Sequence, residues 1–142
     1  MPSLQDPRSA RLLPLTSVTD ARGMLVAVEN GADLPFAINR LFYIVGMNAA
    51  PRGFHAHREQ HQLLICASGS CRMIIDDGAT RQEYFLDRAD QGLHLPPLLW
   101  VEMSDFSDHC VVVVLASHAY DEADYIRDYP AFIAATGNPA AS

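Results

Sequence analysis

The sequence predicts an all-β domain, a small antiparallel β-barrel or jelly roll with one short C-terminal helix. Three observations carry this expectation. Short apolar or alternating runs recur about every ten residues. Turn-forming residues mark the breaks between them. Only one segment, 121–136, has a helical pattern instead.

The runs come in order along the chain. MLVAVE (24–29) is a short apolar strand stopped by Glu29-Asn30-Gly31, and FAINRLFYIVG (36–46) ends before Ala49-Ala50-Pro51. GFHAHR (53–58) leads into QLLICA (62–67), which is apolar enough to cross the core. Ser68-Gly69-Ser70 separates it from CRMIID (71–76). Asp77-Gly78 suits a tight hairpin between CRMIID and QEYFLD (82–87). GLHLP (92–96) and LWVEM (99–103) flank Pro96-Pro97, and CVVVVLA (110–116) reads as a core or dimer-buried strand. This many short strands without intervening helices predicts a sandwich or barrel.

The helix is expected within DEADYIRDYPAFIAAT (121–136), which lacks a β-branched run and puts Ala123, Ile126 and Tyr129 on one helical face. Asp121 or Glu122 would open it, Pro130 would break or restart it, and it would pack on the outside of the barrel. The whole chain, 1–142, reads as one domain, with 1–15 and 137–142 peripheral or frayed.

Composition narrows the function. The chain carries a net charge of −7, against the sign that a general nucleic-acid binder needs. Its 49% hydrophobic and 19% charged residues describe a globular protein. All basic residues are arginine, which suits bidentate contact with phosphate or carboxylate. Cys66, Cys71 and Cys110 lie in or beside apolar runs and read as small buried residues in a reducing compartment. No stretch has the length of a membrane span and the N-terminus lacks a signal-peptide pattern, so a cytoplasmic location is expected.

The chemistry concentrates in RGFHAHREQH (52–61). Side chains alternate along a strand, so His55 and His57 share one face. Gly53 permits a bulge or a close backbone approach beside them. A solvated surface pair is the simplest reading; a metal site is the next. His-x-His, then four residues and Gln62, then six residues and Gly69, is similar to the first motif of the cupin barrel. Metal-binding members of that fold have a glutamate where this chain has Gln62, and a second-motif histidine where it has Trp100-Val101-Glu102. Two histidines with a neutral amide lack the anionic ligand of a good divalent site, although Glu102 or His94 remain possible completions. The imidazoles are then available for proton transfer, with ordinary pKa values of about 6.5.

The longer block RGFHAHREQHQLLICASGSCRMIIDDG resembles the core signature of the cupin-type nucleotide-sugar 3,4-ketoisomerases, which act on dTDP-4-keto-6-deoxyglucose. The likeness extends to DARGMLVAVE and LPFAINRLFYIVG upstream, and to GLHLPPLLWVEMSDFSDHCVVVVLAS and YDEADYIRDYPAFI downstream. It implies a homodimeric β-barrel with no metal and no cofactor, moving a ketone from C4 to C3 of a hexose for amino-sugar synthesis. It also implies that His55 and His57 are the catalytic pair and that Tyr43 lines their pocket. Tyr43 is a further catalytic candidate there, to orient a hydroxyl or stabilise the developing oxyanion, with a core tyrosine as its alternative. The enediolate chemistry needs one group to take the C3 proton and another to handle oxygen-bound protons, and two adjacent imidazoles resist joint protonation. Which histidine does which stays open.

A sugar nucleotide also needs local positive charge. Arg52 and Arg72 are the substrate-binding candidates, and Arg40 is more consistent with a surface position. Gln62 is a hydrogen-bonding candidate at the former ligand position, and Trp100 a stacking one with a core or interface anchor as its alternative. His61, His94, His109 and His118 are expected to be solvated and without a role. Two rival classes remain: a metal-dependent oxygenase and a non-catalytic sugar-binding barrel.

Overall fold

The computed structural model describes residues 9–31 and 34–137. The strands are β1 (Arg11–Pro14), β2 (Thr16–Asp20), β3 (Gly23–Ala27), β4 (Arg40–Ile44), β5 (Arg52–His57), β6 (Gln62–Ser68), β7 (Cys71–Asp76), β8 (Arg81–Leu86), β9 (Gln91–Leu95), β10 (Trp100–Ser104), β11 (Val111–Ala116) and β12 (Tyr125–Ile126). A helix, α1 (Tyr129–Thr136), follows.

Two five-stranded antiparallel sheets, ordered β1-β9-β6-β11-β4 and β12-β5-β10-β7-β8, face each other. From β4 onward the chain crosses between the sheets at every connection except the β7–β8 hairpin. That is a jelly roll, as the sequence predicts. The hairpin closes through four residues, with the Asp77 carboxylate accepting the N–H groups of Ala79 and Thr80.

The core explains why QLLICA and CVVVVLA read as continuous apolar runs. Leu64, Cys66, Val112 and Val114 face Met73, Ile75, Val101 and Met103 of the opposite sheet. Their neighbours Leu63, Ile65 and Leu115 point the other way and are covered by Leu34, Phe36 and Ile38. Both faces of these strands are therefore buried, and alternation disappears.

The outer face of the second sheet is covered by α1. Phe132 packs with Ala56, Trp100 and Ile126. Asp76, almost fully buried, accepts hydrogen bonds from Gly78 N–H, Arg81 Nε and Tyr129 Oη, which satisfies its charge and ties the helix to the hairpin.

Three expectations are corrected. Segment 121–136 is not one helix. Residues Glu122–Asp124 form a single 3₁₀ turn, Tyr125–Ile126 pair with β5, and the helix starts at Tyr129. Asp128 caps it through Ala131 N–H, and Pro130 lies in its first turn, where its missing N–H is harmless. Within 1–15, Arg11–Pro14 is not peripheral but the edge strand beside β9; residues 1–8 and 138–142 lie outside the described residues. Finally, His94 is buried rather than solvated, and His61 is half-buried against it.

Candidate active site

The site begins with one extra residue. In the β5–β10 pairing, Val101 lies opposite His55 and Glu102 opposite Gly53, so Phe54 has no partner. This bulge places Gly53 at φ 92° and Phe54 at φ 59°. A Cβ on Gly53 would lie 2.8 Å from the Val101 carbonyl oxygen, so the position favours glycine on both conformation and space. Strict alternation would put Arg52 on the face opposite His55. The extra residue brings Arg52 onto the His55 face.

That face forms the wall of a cavity of about 520 Å³ between the two sheets. Arg52 and His55 line it from β5, Gln62 and Leu64 from β6, Val101 and Met103 from β10, and Tyr125 and Arg127 from the segment after β11. The strand β4 supplies the remaining side.

The two histidines occupy different environments. His55 is half-buried and lines the cavity. His57 is 5% exposed and sits behind it, with ring centres 5.3 Å apart and nearly perpendicular. The His57 Nδ1 lies 2.9 Å from Asp124 Oδ2. Asp124 also accepts the backbone N–H groups of Glu59 and Gln60. An ionised carboxylate only accepts, so the proton belongs on His57 Nδ1 and the Nε2 lone pair faces the Gln60 amide at 3.4 Å. Burial lowers the His57 pKa to about 4 despite Asp124, and burial also lowers that of His55. Both imidazoles are neutral at neutral pH.

Tyr125 lies across from His57 on β12, with its ring centre 4.3 Å from His57 and 5.2 Å from His55. The Arg127 guanidinium stacks over Tyr125 at 4.2 Å and is held by Glu122 at 2.7 and 3.0 Å. Arg40, on the inward side of β4, stacks on Phe42 at 4.8 Å and lies 5.4 Å from the Tyr120 ring centre. It is half-buried, not on the open surface as the sequence favours.

Of the sequence candidates, the cavity gathers His55, Arg52 and Gln62, with His57 directly behind. Tyr43 borders it from β4, but its neighbours Phe42 and Ile44 pack inward, and the Tyr43 side chain is 63% exposed. Arg72 and Trp100 do not line it, against the placement expected of them. The reason is shared. Ile75 and Met73 pair with Val101 and Met103 on the inner face, so Arg72 and Trp100 have the outer parity. Arg72 is paired with Glu83 and Asp105. Trp100 is buried beside Tyr129 and Phe132, with its Nε1–H donated to Glu102. That bond, together with Arg81, also occupies Glu102 outside the cavity.

Tyr125, Arg127 and Asp124 escape the sequence reading because one helix is assigned across 121–136. The signal was present: Asp128 followed by Pro130 is a helix start, and it frees the preceding residues to pair with β5.

Comparison with known proteins decides the family. The family model described as FdtA: WxcM-like, C-terminal, matches residues 8–137. The chain belongs to the FdtA family. A curated relative from Aneurinibacillus thermoaerophilus, TDP-4-oxo-6-deoxy-alpha-D-glucose-3,4-oxoisomerase, is 48% identical over 86% of this chain and 88% of its own length. Among solved structures, this FdtA-family chain is similar to QdtA, a sugar 3,4-ketoisomerase from Thermoanaerobacterium thermosaccharolyticum in complex with TDP. The identity is 37%, the TM-score 0.88, and coverage 90% of this chain and 94% of that one. It is also similar to WlaRB, a TDP-quinovose 3,4-ketoisomerase from Campylobacter jejuni, with 41% identity, a TM-score of 0.85, and coverage of 89% and 98%.

Proposed function

We infer that the protein is an isomerase acting on dTDP-linked 4-keto-6-deoxyglucose, which it converts to the 3-keto isomer. Membership of the FdtA family supports the activity. The observation that carries the mechanism is a neutral, half-buried His55 in the wall of a cavity flanked by Arg52 and Arg127.

The hydrogen on C3 is acidified by the neighbouring C4 ketone. His55, desolvated and uncharged, removes it. The electron pair moves into a C3–C4 double bond as the C4 oxygen takes up the proton of the neighbouring C3 hydroxyl, giving an enediolate with its charge on the C3 oxygen. The C3 oxyanion then collapses to the ketone, and C4 receives the proton held by the His55 imidazolium. No net oxidation occurs and every proton is returned. His57 stays neutral behind His55; a second positive charge there is opposed by both desolvation and the first. Its orientation comes from Asp124. Tyr125 lies against both rings.

Arg52 and Arg127 supply positive charge for the diphosphate, and Gln62 offers its amide to a sugar hydroxyl. Both ring nitrogens of His57 already face partners, and among the described residues no group of three metal-donor side chains includes His55 or His57. That supports acid–base chemistry by the side chains themselves.

A homodimer is part of this reading. The β2–β3 hairpin pairs with neither large sheet and exposes Val18, Met24 and Leu25, while the edge strand β4 exposes Leu41 and Tyr43. Apolar side chains beside an open strand edge suit a second copy of the chain. No helix among the described residues is long and apolar enough to cross a membrane, and we place the enzyme in the cytoplasm. A 3-keto sugar is the form that an amino-transfer reaction would consume.

The test is incubation with dTDP-4-keto-6-deoxyglucose in heavy water, followed by proton NMR. Formation of a 3-keto isomer carrying ring deuterium supports the reading. Unchanged substrate, or turnover that requires an added divalent metal, refutes it.

A further inference from the structure

Three cysteines from distant parts of the chain meet inside the core, and none of them lines the active-site cavity. Cys66 lies near the end of β6, Cys71 opens β7 and Cys110 precedes β11. All are free and buried, at 1%, 0% and 4% exposure. Their sulfur atoms lie within 4.8 Å of one another, with Cys66 and Cys110 at 3.7 Å.

The surrounding loops hold this arrangement. Ser70 N–H donates to Ser107 Oγ, and Ser107 N–H donates to the Ser70 carbonyl. Gly69 between them has φ 74°, and a Cβ there would lie 3.1 Å from Cys110 Cα. The turn carrying Cys66 and Cys71 is thus locked against the turn carrying Cys110.

The spacing matches metal coordination. An equilateral sulfur triangle with edges of 3.7 Å has its centre about 2.1 Å from each corner, and one with edges of 4.8 Å about 2.8 Å; a metal–thiolate bond of about 2.3 Å falls between. Among the described residues, no histidine or carboxylate joins the group as a fourth donor. Structural zinc sites want four ligands, whereas soft monovalent copper is satisfied by three sulfurs. Cys110 lines a separate cavity of about 260 Å³ with Ser107 and His109, which gives an ion a way in.

We propose that Cys66, Cys71 and Cys110 form a three-sulfur binding site for monovalent copper. Binding replaces thiol protons by the ion, releases those protons to solvent, and changes no oxidation state. Because thiol protons must leave as the ion binds, the affinity rises with pH.

The experiment is anaerobic titration of the reduced, full-length protein with Cu(I) against a competing chromogenic chelator, with X-ray absorption on the loaded protein. One ion per chain, three sulfur neighbours, and an affinity at least about 100-fold weaker in Cys66→Ser, Cys71→Ser and Cys110→Ser support the site. Melting curves identify any variant that fails to fold, and the sulfur count of the unsubstituted protein decides the matter without variants. No ion retained, fewer than three sulfur neighbours, equal affinity in the folded serine variants, or zinc held in preference to Cu(I) each overturns the proposal.

Discussion

The barrel contains two pairs of histidines, and only one of them sits at a cavity flanked by arginines. His61 and His94 are coplanar within 4° and joined by a 3.1 Å contact between Nδ1 and Nε2, with the Phe36 ring 5.5 and 5.6 Å from theirs. His55 and His57 are nearly perpendicular, share Tyr125, and have Asp124 behind and Arg127 nearby. Burial lowers the pKa of His57 and of His94 alike, to about 4 in each case. A depressed imidazole pKa therefore does not distinguish them. What distinguishes the first pair is its place in the wall of the cavity of about 520 Å³ and a carboxylate that fixes one tautomer. The His61–His94 pair has no such carboxylate among the described residues, although Arg11 lies opposite His94 on β1, and the His94 Nδ1 is buried without a partner.

The largest contrast comes from His55→Asn, which is expected to lower turnover by about 100-fold or more with the melting temperature little changed, as for loss of a general acid or base. Steady-state kinetics and thermal melts check it; comparable loss from His94→Asn would erase the distinction between the pairs. Asp124→Asn removes the negative charge facing His57 Nδ1 and puts an amide that can donate as well as accept in its place, so the tautomer is no longer fixed. It is expected to cost about 10- to 100-fold in turnover, by analogy with other histidines that lose an orienting carboxylate. Arg52→Ala is expected to raise KM by about 10-fold with a smaller change in kcat, since a phosphate contact made equally in ground and transition states affects binding. A fall in kcat at constant KM would instead make Arg52 part of the chemistry.

The smallest effects concern the second pair. His61→Phe together with His94→Leu replaces both polar partners, and is expected to leave turnover within about 2-fold and stability near neutral at pH 7. Stability against pH sharpens the point. The folded pKa of His57 and His94 lies below the unfolded value of about 6.5, so the unfolded chain binds more protons below that pH. Stability from these groups is full above about 6.5 and is lost as pH falls toward 4, by about 1–3 kcal/mol for each imidazole. Melting at pH 7 and pH 5 should show a smaller drop in the double variant than in the original protein.

Much of this was legible in the sequence because periodicity reports directly on strands. The His-x-His spacing and the glycine before it point to one face of a bulged strand, and the cavity forms there. Side-chain parity across sheets was not legible. The sides taken by Arg72 and Trp100 follow from the registers of β7 and β10, and a single sequence does not state them. The extra residue at Phe54 reverses parity again, bringing Arg52 into the wall. Asp124, Tyr125 and Arg127 reach the site through a two-residue strand, too short for any periodic pattern to announce.

The most direct test of His55 as the carbon base is hydrogen exchange at C3 of the bound keto sugar in heavy water, comparing the original protein with His55→Asn by proton NMR. Deuterium should enter the ring with the original enzyme and fail to enter with a folded His55→Asn protein. Exchange by that variant at the original rate would contradict the assignment and move the base elsewhere in the cavity.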